Sequence, residues 1–335
     1  MRNGDELENN MKRFDYLKPR NLSEVFSILK EKPEKALIVA GGTDVMVMIH
    51  QKRISPEVLV SLRGIEGLDR IEEREGLSIG PLVTHRAIEK SERIRREYSA
   101  LTDAVDVLGS IQIRNVATVA GNICTAAPSA DTAPPLLALG AQVKLKSATS
   151  ERTVPLENFF TGPGKTVRQP GEVLTEIALP KPLPHTGSAY WKHQRRQALD
   201  LPIIGVAVLL SLDRSRVECF DLFRQPSPIS TLLHGLEKEE VVCKEVRIGL
   251  GVAAPTPMRA MKAEALLRGK KLSDELMDEV AEMAAQEAQP RDSIRGEAWY
   301  RKEMIRVLVK RMAMRSIERA LDPGATAFPL RPWRH

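Results

Sequence analysis

Two stretches of small residues are the parts of this chain best suited to chemistry. They are Val39-Ala40-Gly41-Gly42-Thr43-Asp44 and Ala117-Thr118-Val119-Ala120-Gly121-Asn122. Each follows or interrupts an apolar run, and each offers main-chain N–H groups with little side-chain bulk around them. Successive amides of this kind make an anion-binding concavity, and glycine permits positive φ and close approach of the backbone. Two such turns facing one another would clamp the diphosphate of a dinucleotide without a metal. The N-terminus of the helix expected after Asp44 would add its own attraction for negative charge.

Other motifs fail on inspection. Gly162-Pro163-Gly164-Lys165-Thr166 resembles the end of a phosphate-binding P-loop, but the motif needs glycine at position 159, which is Phe159. Gly249-Leu250-Gly251-Val252-Ala253-Ala254 fits a loose dinucleotide fingerprint, yet Pro255 and Pro257 prevent a helix from opening there. The three cysteines, Cys124, Cys219 and Cys243, form no C-x-x-C pair and no disulfide framework, so neither zinc nor an iron–sulfur cluster is expected on this chain. Spacing shows no catalytic triad, and no side chain is assigned a catalytic role.

The elements that must position the two turns read as follows. Leu22 to Lys30 has a helical pattern with Asn21 or Ser23 as cap. Ala36 to Ala40 is a short buried strand broken by Gly41-Gly42, and Val45 to His50 continues as helix. Val58 to Leu62 is a strand. A second α/β unit starts near Leu68, with a strand over 77–80, a helix capped by Thr84, a helical 101–108 and a loop at Ile111-Gln112-Ile113-Arg114-Asn115. A helix opens at Pro134-Pro135, and strands cover 141–146 and 172–179. Pro180, Pro182 and Pro184 mark a boundary. Beyond it come strands over 203–212 and 246–252, then helices over 262–267 and 274–288. A long helix capped by Asp292 or Ser293 ends near Leu321. Strands followed by helices give an α+β domain. The division expected is 12–185 (subdomains 12–67 and 68–185), 186–322, and an irregular tail over 323–335. The excursion from Ser215 to Glu245 reads as an added subunit contact or an extended surface loop.

With 335 residues, the chain is too long for one ordinary core. It is 42% hydrophobic and 28% charged, in the range of a globular protein, and no apolar run is long enough for a membrane span. Met1 to Asn10 lacks the apolar core of a secretory signal, which predicts a cytoplasmic protein. The net charge is +6, but basic and acidic residues are interspersed and only 4% of residues are aromatic, which argues against nucleic-acid binding.

At Ala40-Gly41-Gly42-Thr43-Asp44 and Thr118-Val119-Ala120-Gly121-Asn122 the chain resembles the FAD-binding medium subunit of molybdenum hydroxylases, of the carbon monoxide dehydrogenase and xanthine dehydrogenase type. The resemblance runs from Phe14 to Leu321. Its other landmarks are Ile113-Arg114-Asn115, Pro128 with Asp131, Tyr190 with Lys192, Arg196 with Asp200, Ala254-Pro255-Thr256-Pro257 with Arg259, and Tyr300-Arg301. The resemblance implies two α/β subdomains clasping FAD, followed by a smaller α+β domain. It implies a small partner subunit with two [2Fe–2S] clusters and a large one with molybdopterin, assembled as a dimer of heterotrimers. Electrons would pass through the clusters to FAD and on to NAD⁺, a quinone or another acceptor. A stand-alone FAD oxidase or reductase is the alternative.

The resemblance also assigns residues to the cofactor. Ile38, Val39, Ala40, Gly41, Gly42, Thr43, Asp44 and Val45 wrap the pyrophosphate. Ala117, Thr118, Gly121 and Asn122 form the second grip, with the Thr125 hydroxyl beside them. The family's two glycines are here Ala120-Gly121, which predicts negative φ at Ala120. Asp131 either accepts from a ribose hydroxyl or caps the helix near Pro134. Cys124 is a small buried thiol near the cofactor, and Leu174 packs on the isoalloxazine or adenine. Lys192 either places a cation by the flavin or is a solvated lysine in a basic run. Arg114 holds the second turn by hydrogen bonds.

Overall fold

The computed structural model describes residues 12–196, 199–214, 216–224, 228–322 and 324–325. Met1–Asn10, Ser215, Pro226 and all of the expected tail but Gly324 and Ala325 lie outside the described residues.

The first sheet is parallel, with Val58–Ser61 between Asp15–Leu17 and Ala36–Val39. Its central strand is buried at every residue, as expected of a parallel strand covered on both faces. The Leu22–Glu31 helix is capped by the Asn21 side chain, which accepts from the Glu24 N–H. Val25, Phe26 and Leu29 of that helix pack on Val58 and Val60. Ala36–Val39 therefore delivers Gly41-Gly42 at the end of a fixed strand, and the Val45–His50 helix leads away from it.

The second sheet runs Ile71–Glu73, Gly76–Ile79, Val173–Pro180, Gln142–Lys146, Glu151–Pro155 and is antiparallel throughout. The expected second α/β unit is thus a sheet with its helices gathered into one chain segment rather than alternating with strands. Those helices share a single apolar core with the sheet, built on residues such as Ile79, Leu101, Ile123, Leu136 and Ile177. Ile111–Arg114, expected as loop, is a short helix capped by the Ser110 hydroxyl. Gly162 to Thr166 is a small hairpin, which explains why its P-loop-like sequence has no helix to serve.

The third sheet runs Thr186–His193, Ile204–Leu212, Cys243–Gly251, Met258–Arg259 and is antiparallel. Ile204–Leu212 is buried on both faces. Val206, Val208 and Leu210 belong to the C-terminal core, whereas Ala207 and Leu209 face the core of the second sheet. A strand sandwiched in this way needs no polar alternation. The long helix is Ala298–Leu321, starting later than expected, although Asp292 Oδ1 still accepts from the Ala298 N–H at 2.6 Å. Arg319 rivets this helix to Ser99–Asp106: its Nη2 lies 2.9 Å from Asp103 Oδ1, and its Nη1 donates to the Ser188 carbonyl at 2.7 Å.

The Ser215–Glu245 excursion is not simply a surface loop. It contains the Ile229–Lys238 helix, which buries Leu232, Leu233 and Leu236 in the C-terminal core.

Candidate cofactor cleft

A cleft of ≈ 450 Å³ lies between the two small-residue turns. At the first turn, Gly42 has φ +79°, a conformation that strains any residue with a Cβ. Gly41 is required for a different reason. A Cβ there would stand 2.5 Å from the Val116 carbonyl oxygen and 2.8 Å from Ala117 Cα, so the two turns touch backbone to backbone.

Among the described residues, the N–H groups of Gly41, Gly42, Thr43, Asp44 and Val45 have no acceptor. Arg63 explains part of that arrangement. Its Nε donates to the Ala40 carbonyl and its Nη2 to the Gly41 carbonyl, each at 3.1 Å. Because a trans peptide points its C=O and N–H in opposite directions, this directs the Gly41 and Gly42 amides away from Arg63. A run of unpaired amides on a cleft wall is a donor set suited to phosphate oxygens.

The second turn is organised differently. The Thr118 hydroxyl accepts from the Gly121 N–H at 3.0 Å and caps the Val119–Thr125 helix. Val119 N donates to the Val83 carbonyl and Asn122 N to the Thr118 carbonyl. Only the Thr118 and Ala120 amides of this stretch are left without an acceptor among the described residues. Ala120 lies inside the helix with negative φ, so its methyl adds no backbone strain. The turns are tied together by Thr125, whose Oγ1 lies 3.0 Å from Asp44 Oδ2 and 2.9 Å from the Gly121 carbonyl. Thr132 Oγ1 donates to Asn122 Oδ1 at 2.6 Å.

All the expected binding residues line the cleft except three. Val39 is packed behind it against Ile49 and Leu59. Asp131 and Lys192 are also outside the lining and are bonded to each other: Nζ to Oδ2 is 2.8 Å, and their side chains are 8% and 2% exposed respectively. Lys192 is therefore not a solvated surface lysine. The Tyr190 hydroxyl donates to Asp131 Oδ1 at 3.3 Å. Asp131 does not cap the Ala133–Ala138 helix, whose N-cap is Thr132. Burial raises the Asp131 carboxyl above its ordinary range, against the pull of Lys192, and drives the Tyr190 phenol well above its own. Cys124 is half-buried on the cleft, and burial pushes its thiol up and keeps it neutral.

Arg114 is buried and structural. Its Nε donates to Glu89 Oε2 at 2.9 Å and its Nη1 to the Leu108 carbonyl at 3.0 Å, which fixes the chain leading into the second turn. Sequence reasoning missed Arg63, and it missed the cleft-lining His85, Leu108 and Arg168. Arg63 follows an apolar strand and His85 follows a helix cap, and neither place marks a ligand contact by pattern.

Two family models match. One is described as the FAD binding domain in molybdopterin dehydrogenase, over residues 12–182, and the other as the CO dehydrogenase flavoprotein C-terminal domain, over 229–316. The xanthine dehydrogenase FAD-binding subunit of Escherichia coli O157:H7 is 30% identical, covering 91% of this chain and 96% of that one. The carbon monoxide dehydrogenase medium chain of Hydrogenophaga pseudoflava is 27% identical, covering 89% of this chain and 95% of its own length. Among solved structures, the reconstituted CO dehydrogenase from Oligotropha carboxidovorans superposes with a TM-score of 0.81 at 27% identity, covering 92% of this chain and 99% of that chain. The unpaired amides at the glycine turn fit the diphosphate of the cofactor these descriptions name. The chain belongs to the family of FAD-binding subunits of molybdopterin-dependent dehydrogenases.

Proposed function

We propose that this chain is the electron-transfer flavin subunit of a cytoplasmic molybdenum hydroxylase. Electrons would leave a molybdopterin site on a large partner subunit and cross two [2Fe–2S] clusters on a small one. They would then pass through FAD on this chain to NAD⁺, a quinone or another acceptor, within a dimer of heterotrimers. The observation that carries this reading is the row of five unpartnered amides from Gly41 to Val45, in a chain similar over nine-tenths of its length to a xanthine dehydrogenase FAD-binding subunit.

Bound FAD would supply the exchange between one-electron clusters and a two-electron acceptor. The residues of this chain hold and orient it. Amides 41–45 meet the phosphate oxygens, with the Thr118 and Ala120 amides opposite. Ile38, Cys124 and Leu174 supply apolar wall. Asp131 and Lys192 act as one neutral buried pair. The Lys192 end, 3.5 Å from the Val107 carbonyl, backs the part of the wall formed by Leu108.

The test is to purify the tagged chain from its own cells and measure flavin, iron and molybdenum. Fixed proportions of all three, with bleaching of the flavin band when the molybdenum substrate is added, are expected. Stoichiometric flavin without iron or molybdenum, together with oxidase or reductase turnover by the chain alone, overturns the proposal in favour of a free-standing flavoenzyme.

A further inference from the structure

His85 forms part of the cleft wall and is 1% exposed. Its backbone is fully engaged, with the N–H donating to the Ala117 carbonyl at 3.0 Å. Its side chain is not: among the described residues neither ring nitrogen makes a hydrogen bond, and Nδ1 is sealed from any partner. A buried imidazole without partners is costly, and such a group in a native fold calls for an explanation. With Nδ1 enclosed and bare, the ring proton belongs on Nε2, because an orphaned N–H is worse than an orphaned lone pair. Burial, with the nearby Arg114 guanidinium adding to it, holds His85 down at about 4, so the ring is neutral.

The position of His85 fixes which end of the cleft it serves. Val119–Thr125 runs along the cleft. Its first turn lies beside His85, through the Thr84–Thr118 bridge and the Val119-to-Val83 bond. Its last turn lies beside Gly164, whose N–H donates to the Ala126 carbonyl. Seven residues of helix separate the two ends by roughly 10 Å. Pro81, His85, Leu108 and Ile113 line the cleft with the first of these ends, and Gly164, Arg168 and Leu174 with the second; the glycine turn spans both, with Gly41 against Ala117 and Asp44 bonded to Thr125.

We propose that the flavin half of bound FAD lies at the Pro81–Leu108 end of the cleft and that His85 donates a hydrogen bond through Nε2 to one of its polar atoms. The proposal rests on FAD occupying this cleft. It makes His85 a cofactor-binding residue, one the glycine turns do not reveal.

The experiment uses the full-length protein with whatever subunits co-purify, stripped of flavin. It compares wild type, His85→Leu and His85→Gln, which restores an N–H near the position of Nε2. Binding of FAD, FMN and ADP is measured by fluorescence and calorimetry at pH 7, and melting of each apo form is recorded. His85→Leu is expected to weaken FAD and FMN by roughly 3- to 10-fold, the value of one neutral hydrogen bond. ADP affinity should be unchanged, and His85→Gln should recover most of the loss. The bound flavin's visible band should shift in the Leu variant and return in the Gln variant, which a purely structural defect would not produce. FAD binding equally tight in wild type and His85→Leu overturns the inference alone, as does a loss shared equally by ADP. A wild-type protein that takes up no FAD overturns the cleft assignment and this inference together.

Discussion

The two turns that face each other across the cleft look interchangeable as sequences but are built differently. Among the described residues, the turn at 41–45 leaves five successive amides unpaired, and it is braced from outside by Arg63. The turn at 117–122 satisfies most of its own donors through the Thr118 cap and the Val83 carbonyl. The first presents free donors to the cleft, and the second is a wall that comes close enough to require Gly41. Small residues serve opposite purposes in the two: freedom to point donors outward in one, and close packing in the other.

The largest effect should come from placing a carboxylate where the donors are. Gly42→Asp combines a residue that strains at φ +79° with an anion beside phosphate. Loss of all retained flavin is expected, at least 100-fold in affinity, whereas Ala120→Gly in the wall should change FAD binding by no more than about 2-fold. The absorbance of the purified variants decides. Full yellow colour in Gly42→Asp would show that the first turn is not the grip.

The second contrast is between the cleft and the ion pair behind it. Lys192→Met leaves Asp131 buried with only Tyr190 for company, and removing one partner of such a pair costs about 3–5 kcal/mol. Chemical denaturation should show that loss in the absence of flavin. Asp131→Asn with Lys192→Met should recover part of it, because no lone charge remains. Unchanged stability together with weakened flavin binding would instead make Lys192 a direct cofactor contact.

How much of this was legible beforehand follows from what kind of signal each residue gives. The glycine turns, the Asn21 and Thr84 caps and the buried strand at 204–212 announce themselves through local pattern, since their causes lie within a few residues. The Ile229–Lys238 helix was also readable from Ile229, Leu232, Leu233 and Leu236 at helical spacing, but the surrounding prolines and charges drew the eye to a loop. The partnership of Asp131 with Lys192 was not readable. Sixty-one positions separate them, and only the pairing of Thr186–His193 with Ile204–Leu212, packed against the helical layer, closes that distance. Arg63 and His85 were hidden for a similar reason: their contacts are made across chain separations that no periodicity records.

His85 offers a smaller test of the wall against the turn, through pH. Its folded-state value of about 4 lies below the ordinary 6.5, so the unfolded chain takes up a proton that the folded one refuses. Stability linked to this group is complete above pH 6.5 and is lost as pH falls toward 4, by about 3 kcal/mol in all. The melting temperature of apo wild type should therefore fall more steeply over that window than that of His85→Gln. Parallel curves would mean that the imidazole opens to water on acidification.

The smallest effect belongs to the tie between the turns. Thr125 has one hydroxyl proton and two acceptors within reach, Asp44 Oδ2 and the Gly121 carbonyl, so the bond to Asp44 is shared with ordinary helix back-bonding. Asp44 is exposed, and losing the hydroxyl alone should cost about 0.5–1 kcal/mol of stability. The consequence for flavin is electrostatic. Asp44 stands in the 41–45 turn as the N-cap of the Val45–His50 helix, and Thr125 holds its carboxylate in one place. Thr125→Val frees that carboxylate to approach the phosphates, and FAD affinity should fall by about 2- to 4-fold. Adding Asp44→Asn removes the repulsion, so the double variant should bind at least as well as wild type and the two changes should be non-additive. If the double variant binds no better than Thr125→Val alone, the hydroxyl rather than the Asp44 charge is what the cofactor feels.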